Sequence, residues 1–411
     1  MTGHGGARAV ARCDALGVAP YTDLASGLYR AYLTPGYWAS QEALAGWMTE
    51  SGMTVRRDPA ANLIGHYAGT HPQAPALVIG SHLDSVRDGG RYDGPLGIML
   101  GIECVATLHA QHRRLPFPIE IYAFGDEEGS RFPAAMLTSR AVAGTLKPAA
   151  LAITDADGVS LSSALGAGTA DYLDAARPAG ATLAYLEAHI EQGPVLEADG
   201  LAVGTVTGIA AQLRYKVVVK GVAGHAGTTT MRLRRDPLAG AAAMVLAVEQ
   251  LARADNSDVV ATVGTIEALP GAPNVIPGEA RFTIDVRSGV KDRRDHVAEA
   301  ILARIAEIAD ARDLGLAIER IHDLPASPCD PALMDLMDQA LVAAGQPVRR
   351  LISGAGHDAM NMAALCPTAM LFIRCKDGIS HNPAEHVDPV DAEIALQVML
   401  GFIERLAQRY A

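Results

Sequence analysis

Cysteine is scarce in this chain. Cys13, Cys104, Cys329, Cys366 and Cys375 are its whole complement, odd in number and never spaced C-x-x-C. That pattern excludes a disulfide framework and a thiolate zinc site, and it predicts reduced, buried thiols. Long apolar runs are missing as well. None reaches the ~18 residues that a membrane-spanning helix needs, and the opening MTGHGGARAVARCDALG has no signal-peptide apolar region. A soluble, cytoplasmic protein without a membrane partner is expected. There is no excess of cationic residues, the formal net charge being −12. Nucleic-acid affinity draws on clustered Lys and Arg that release counterions, so nucleic acid is not an expected partner. An anionic small molecule would need a local cationic clamp set against the global field, which one Arg could supply.

What is present is a globular balance, 49% hydrophobic and 19% charged over 411 residues, a length that suits two domains. Residues 40–51 have helical apolar spacing. ALVIG (76–80) reads as a buried strand, GIMLGIECVATLHAQH as a buried helix, and PIEIYAFG (118–125) as a second strand. Strands alternating with helices predict an α/β fold, a mostly parallel sheet flanked by helices, with its site beyond the carboxyl ends of the strands. The middle of the chain changes order. LRYKVVVKG, DPLAGAAAMVLAVEQLARA, VVATVGTIEAL, ARFTIDVRS, HVAEAILARIAEIADARD and LAIERIHD read β-α-β-β-α-β, the split βαβ or ferredoxin-like α+β unit. The expected organisation is a first catalytic part at 1–210, an inserted domain at 211–326, and a return to the first domain at 327–411.

Imidazole and carboxylate groups stand in Gly-containing loops after the predicted strands. They are His82 and Asp84 in SHLDS, Asp93 in RYDGPLG, Glu127 and Glu128 in GDEEGS, His189 in EAHIEQG and His381 in GISHNPAE. Each alone has a plainer role: a hydrogen-bonded core His, a turn-forming Asp, a solvated acidic turn. Together, without thiolate, they suit a first-row divalent ion. The run Asp126-Glu127-Glu128 points the same way, because neighbouring carboxylates repel unless a cation or proton compensates. Successive side chains diverge, so Glu128 is assigned as ligand and Glu127 as general base. Elsewhere, Arg287 after a strand could pair bidentately with a carboxylate, and Asn274 in PNVIP could donate an amide hydrogen bond.

The ordered motifs SHLDSVRDGGRYDGPLG, DEEGSRFP, EAHIEQGPVLEADG, GHAGTTTMRLRRDP, GAPNVIPGEARFTIDVRS, SGAGHDAMNMAALCP and GISHNPAEHV together resemble a family of dinuclear metal amidohydrolases. That family includes allantoate amidohydrolase, N-carbamoyl-L-amino-acid hydrolase and β-ureidopropionase. The resemblance implies two divalent ions per subunit, Zn or Mn with Co or Ni also suitable. It implies His82 and His189 on different ions, Asp93 bridging, Glu128 and His381 completing the sites, and the Asp84 carboxylate orienting His82. It further implies that Gln192, Asn274 and Arg287 bind substrate, that Gly356 and His357 line the pocket, and that His225 in AGHAG polarises the scissile carbonyl. The inserted domain is implied to be a lid and dimerisation domain, with His225 acting across a homodimer interface. Two departures from the family pattern are Thr138 in TSRAVAG and Ala61 in AANLIG, both at usual Gly positions.

The implied reaction is hydrolysis of a ureido or carbamoyl C–N bond in a small carboxylate. RAYLTPGYWASQEALAGWMTESGMTV and ALCPTAMLFIRCKDGISHNPAE resemble the bacterial allantoate enzymes most, which implies conversion of allantoate to ureidoglycine, ammonia and carbon dioxide in purine nitrogen recovery. N-carbamoyl-L-amino-acid hydrolase or β-ureidopropionase activity is the alternative. A dinuclear peptidase or aminoacylase, and a metal-stabilised binding protein without catalysis, are the rival classes.

Overall fold

The computed structural model describes residues 5–166 and 168–410. Two compact units result. One runs to Thr207 and resumes over Cys329–Leu351 and from Gly356 onward; the other is Gly208–Pro328 together with Ile352–Ala355. No sequence signal marks the small 352–355 segment as part of the second unit.

In chain order the strands are β1 (Thr54–Arg57), β2 (Leu63–Tyr67), β3 (Ala76–His82), β4 (Ile119–Phe124), β5 (Thr182–Ile190), β6 (Val203–Ile209), β7 (Ala211–Lys220), β8 (Gly224–His225), β9 (Val260–Thr262), β10 (Ile266–Leu269), β11 (Val275–Ile276), β12 (Glu279–Ser288), β13 (Gly315–Leu324), β14 (Ser327–Pro328), β15 (Arg350–Ser353) and β16 (Thr368–Ile373). The longer helices are α1 (Gly6–Leu16), α2 (Pro35–Glu50), α3 (Pro95–Ala110), α4 (Pro237–Asp255), α5 (Lys291–Ala311), α6 (Pro331–Ala343) and α7 (Pro389–Tyr410). Among the described residues no helix is long and apolar enough to cross a membrane.

The first unit is built on a mixed sheet in the order β1-β2-β4-β3-β5-β16-β6. Its centre, β4-β3-β5-β16, is parallel, and β1, β2 and β6 are antiparallel additions at the two sides. Every residue of β3, β4 and β16 is buried. That is why β3 and β16 read as largely apolar runs rather than as alternation, since a parallel strand is covered on both faces; in β4 the buried Glu120 is paired with Arg177. Helix α3 is buried over most of its length for the same reason, its buried Glu103 paired with Arg8 and Arg12, and Leu96, Ile98, Met99, Leu100 and Ile102 are all fully enclosed. Each such side chain contributes roughly 1.5–3 kcal/mol of burial. Helix α2 starts five residues before the apolar spacing suggests. Thr34 caps it by accepting from the Tyr37 amide, and Pro35 takes the first turn, where its missing N–H costs nothing.

The second unit contains β7-α4-β10-β12-α5-β13, with its antiparallel sheet ordered β10-β12-β7-β13. Leu213, Tyr215, Val217 and Val219 of β7 and Ala280, Phe282, Ile284 and Val286 of β12 form one core with α4 and α5. The intervening residues Arg214, Lys216 and Lys220 are exposed, the alternation expected of a sheet covered on one face. The segment VVATVGTIEAL, read as one strand, is two. Residues 263–265 lie opposite only Thr283 and Ile284, so one extra residue bulges between β9 and β10, and Thr265 Oγ1 instead meets Thr283 Oγ1 at 3.1 Å.

Candidate metal centre

Three parallel strands deliver their carboxyl ends to one edge of the first unit. His82 is the last residue of β3, His189 is the penultimate residue of β5, and the chain leaving β4 at Phe124 becomes Asp126-Glu127-Glu128 two residues later. Both histidines therefore sit on strands, not in the loops that follow. Asp93 lies in the loop before α3, where Gly94 at φ +86° turns the chain so closely past His82 that a Cβ there would lie 2.5 Å from the His82 ring. Only glycine tolerates both the angle and the approach.

Both rings are held from behind. The His82 Nδ1 lies 3.0 Å from the Asp84 carbonyl oxygen, and the His189 Nδ1 lies 2.9 Å from the Ile190 carbonyl oxygen. A carbonyl can only accept, so each Nδ1 carries a proton and each Nε2 turns inward. The two Nε2 atoms face one another at 3.4 Å, and Asp93 Oδ1 lies 3.6 Å from one and 3.1 Å from the other. A second group shares the same carboxylate: His381 Nε2 is 3.3 Å from Asp93 Oδ2 and 3.4 Å from Glu128 Oε2. His82, Asp93 and His189 form one set of donors, and Asp93, Glu128 and His381 another. The resemblance implied His82 and His189 on different ions. The distances group them together instead, because β3 and β5 are adjacent parallel strands ending at the same level.

The electrostatics ask for positive charge at this spot. Burial works to lower the His82 and His189 pKa values, but Asp93 and the neighbouring acids outweigh it and both are raised, His82 strongly. His381 is raised to about 9, chiefly by its hydrogen bond to Asp93. Burial pushes up Asp93 too, yet its three histidine partners hold it well below the usual carboxylate range. Glu128 rises to about 7 through burial and then repulsion from Asp93. Imidazole nitrogens converging on shared carboxylate oxygens in a buried acidic cluster are what a pair of first-row divalent ions requires.

The raised pKa values of His381 (about 9), His82, His189 and Glu128 (about 7) all favour bound protons in the metal-free protein, and each group must be deprotonated to act as a ligand. Ion binding at pH 7 should therefore release protons, and affinity should climb as pH rises toward 9. Calorimetry in buffers of different ionisation enthalpy measures this directly, and binding without proton release would contradict the assignment.

Asp84 does not orient His82 through its carboxylate. That carboxylate is 3.9 Å from the ring and accepts instead from the Glu127 and Glu128 amides, at 3.2 and 3.3 Å. The backbone carbonyl takes over the ring, since the turn after β3 carries it there. Thr138, at a usual Gly position, ties down the other side of the acidic run: its hydroxyl donates to the Gly125 carbonyl and accepts from the Gly125 amide. Ala61, the other departure, adopts φ +59° and is held by bonds from Tyr37 and Gln41 to its carbonyl. Glu127 stays outside both donor sets, buried, with its pKa raised well above normal by burial and by Glu128, against the opposing effect of His82.

Gln192 donates to Asp93 Oδ2 at 3.0 Å and to Ser380 Oγ, while its own Oε1 is buried without a partner. His357 is buried with its ring edge-on to His189 at 4.4 Å, so it packs behind a donor, and burial followed by His189 lowers its pKa strongly. Gly356 borders Met136 and Met360.

The remaining candidates lie in the second unit. His225 on β8 is exposed and pairs in register with Val275 of β11, and the Asn274 carbonyl accepts from the Ala226 amide. The His225 Nδ1 accepts from the Gly227 amide at 3.0 Å, which puts the ring proton on Nε2 and makes that atom a donor. Arg287 is not a free clamp. Its Nε and Nη2 engage Asp285 at 2.8 and 3.0 Å and Nη1 bonds the Gly354 carbonyl, leaving two N–H groups uncommitted. Sequence reasoning missed Ser380, which donates to Asp93 Oδ2 at 2.8 Å, and Glu385, which accepts from the Asp93 amide. Their only signal was proximity to His381 in SHNPAE.

Residues 78–405 match Peptidase family M20/M25/M40. The chain belongs to that family. It is 42% identical over 385 residues to an N-carbamoyl-L-amino acid amidohydrolase of Geobacillus stearothermophilus, covering 93% of this chain and 94% of that one. It is 39% identical to an allantoate deiminase of Arabidopsis thaliana, over 96% and 81% of the respective chains. A solved amidase of the hydantoinase/carbamoylase family from Burkholderia multivorans superposes with a TM-score of 0.90 at 34% identity, over 98% of each chain.

Proposed function

We propose that the protein hydrolyses a carbamoyl or ureido C–N bond in a small carboxylate-bearing substrate, using two divalent ions shared across Asp93. The observation that carries this reading is the pair of inward-facing Nε2 atoms of His82 and His189, with Asp93 between them and an uncommitted Glu127 alongside. Relatives named as amidohydrolases and deiminases of carbamoyl and allantoate compounds support it. Bound at the two donor sets, the ions would supply Lewis-acid polarisation and water activation near neutral pH. Glu127 accepts a proton from the attacking water and returns it to the departing nitrogen, a role suited to a carboxylate whose buried setting raises its basicity. His225 donates its Nε2–H to the carbonyl oxygen as charge develops. Asn274 donates from its amide, Gln192 contacts the substrate beside Asp93, and the two uncommitted N–H groups of Arg287 receive the carboxylate. One water cleaves the ureido group to the amine, ammonia and carbon dioxide.

We assign the second unit as a dimerisation and lid domain. β8 and β11 pair as a separate two-stranded ribbon in the chain beyond Lys220 and Glu279, whereas Arg287 lies eight residues along β12 in the other direction. At about 3.3 Å per residue, Arg287 lies on the order of 25 Å from the Glu279 end of β12, and His225 and Asn274 come beyond that end along the chain. That span is too long for one small molecule to bridge, which supports the reading that His225 and Asn274 serve the site of a second copy in a homodimer.

Allantoate is the first substrate, on the likeness of segments 30–55 and 364–385 to the allantoate enzymes. An N-carbamoyl-L-amino acid is the second reading, favoured by the 42% identical relative. Ammonia release from allantoate, N-carbamoyl-L-amino acids and β-ureidopropionate, with dipeptide cleavage in parallel and with added manganese or zinc, decides between them. Turnover of dipeptides with none of the ureido compounds would overturn the proposal in favour of a peptidase.

A further inference from the structure

Asp93 has to present its two oxygens in two directions at once, so its backbone must be held as firmly as its side chain. The holding group is Glu385. Its Oε1 accepts from the amides of Tyr92 at 2.8 Å and Asp93 at 3.1 Å, although almost 300 residues separate them in sequence. Glu385 follows His381 by four positions, and Ser380, immediately before His381, donates to Asp93 Oδ2 at 2.8 Å. One loop thus supplies a donor of the second set and, on either side of it, grips Asp93 by its backbone and by its carboxylate.

Nothing in the folding of that loop requires a carboxylate there. Glu385 is 5% exposed, and its Oε2 is buried without a hydrogen-bond partner. Burying a charged group with half its acceptors unused is costly, and an apolar side chain of similar volume would be cheaper. Room for it exists only because position 90 is glycine, where a Cβ would lie 2.0 Å from the Glu385 carboxyl carbon. Gly90 does not sit at positive φ. The clash with Glu385 is the direct obstacle to a side chain there.

We propose that Glu385 is a positioning residue that sets Asp93 as the shared donor of the two ion sites by fixing the Tyr92–Asp93 backbone. This rests on the two-ion reading given above. Removing the grip lets Asp93 rotate away from one donor set, so ion affinity falls while the rest of the fold stands. Outer partners of metal ligands typically contribute about 10- to 100-fold in affinity.

The test uses the full chain and the ions alone, without substrate. Cobalt and zinc affinities are measured by chelator competition, and the visible absorption of the cobalt-loaded protein reports coordination. E385Q keeps an oxygen for both amides and should bind both ions like the parent. E385M keeps the volume but no comparable acceptor, and should lose about 10- to 100-fold in affinity with an altered cobalt spectrum. G90A, which displaces the carboxylate without removing it, should reproduce that loss, and should add little to it when combined with E385M. Should E385M fail to fold, G90A carries the test. E385M or G90A binding both ions with parental affinity and spectrum overturns the proposal, as does E385Q behaving like E385M. A parent protein that binds no ion would instead bring down the two-ion reading itself.

Discussion

Glu127→Gln should leave both ions bound and suppress turnover by about 10²- to 10⁴-fold, the usual contribution of a positioned acid–base group. The amide keeps the size of the side chain but cannot accept a proton from water or return one to nitrogen. Metal retention is expected because Glu127 belongs to neither donor set, whereas Glu128 does. The adjacent substitution therefore makes the control: Glu128→Gln should weaken binding at the His381 set as well as slow the reaction. Metal analysis and steady-state kinetics on the same preparations separate the two. A Glu127→Gln protein retaining parental turnover would remove Glu127 from the base role, and one that lost its ions would reassign it as a ligand.

Asp93→Ala should abolish activity and lose both ions, not one, because a single carboxylate faces both donor sets. The metal-free protein should also be destabilised at neutral pH. Asp93 has a folded pKa well below its unfolded value, so its contribution is present above the unfolded pKa and is lost as pH falls through the folded one. Removing the acid leaves His82 and His189 buried without it, and imidazoles can follow by shedding charge. Metal content and urea unfolding of the chelated protein at pH 7 check both parts. Retention of one ion at parental affinity would show that the donor sets do not depend on a common carboxylate.

Much of this architecture was legible in the chain. The apolar run of β3, the strand reading of PIEIYAFG and the buried helix between them announced a mostly parallel sheet flanked by helices, and the β-α-β-β-α-β order of the middle segment announced a second unit. What failed was local. VVATVGTIEAL contains no visible break, because a bulge is defined by the count of residues on the partner strand, which is remote. The start of α2 was hidden behind Pro-Gly, which resembles a turn until Thr34 is seen to cap it.

The donor residues were likewise readable by type, but their grouping was not. Side-chain chemistry and its placement at strand ends are written into the sequence, since period, composition and glycine spacing act locally. Which Nε2 faces which, that the Asp84 carbonyl and not its carboxylate holds His82, that Asp285 already occupies Arg287, and that Glu385 reaches back to Asp93 were decided only by tertiary structure. Those contacts join residues that share no periodicity, and their directions depend on strand adjacency and on which backbone groups the fold leaves to be satisfied.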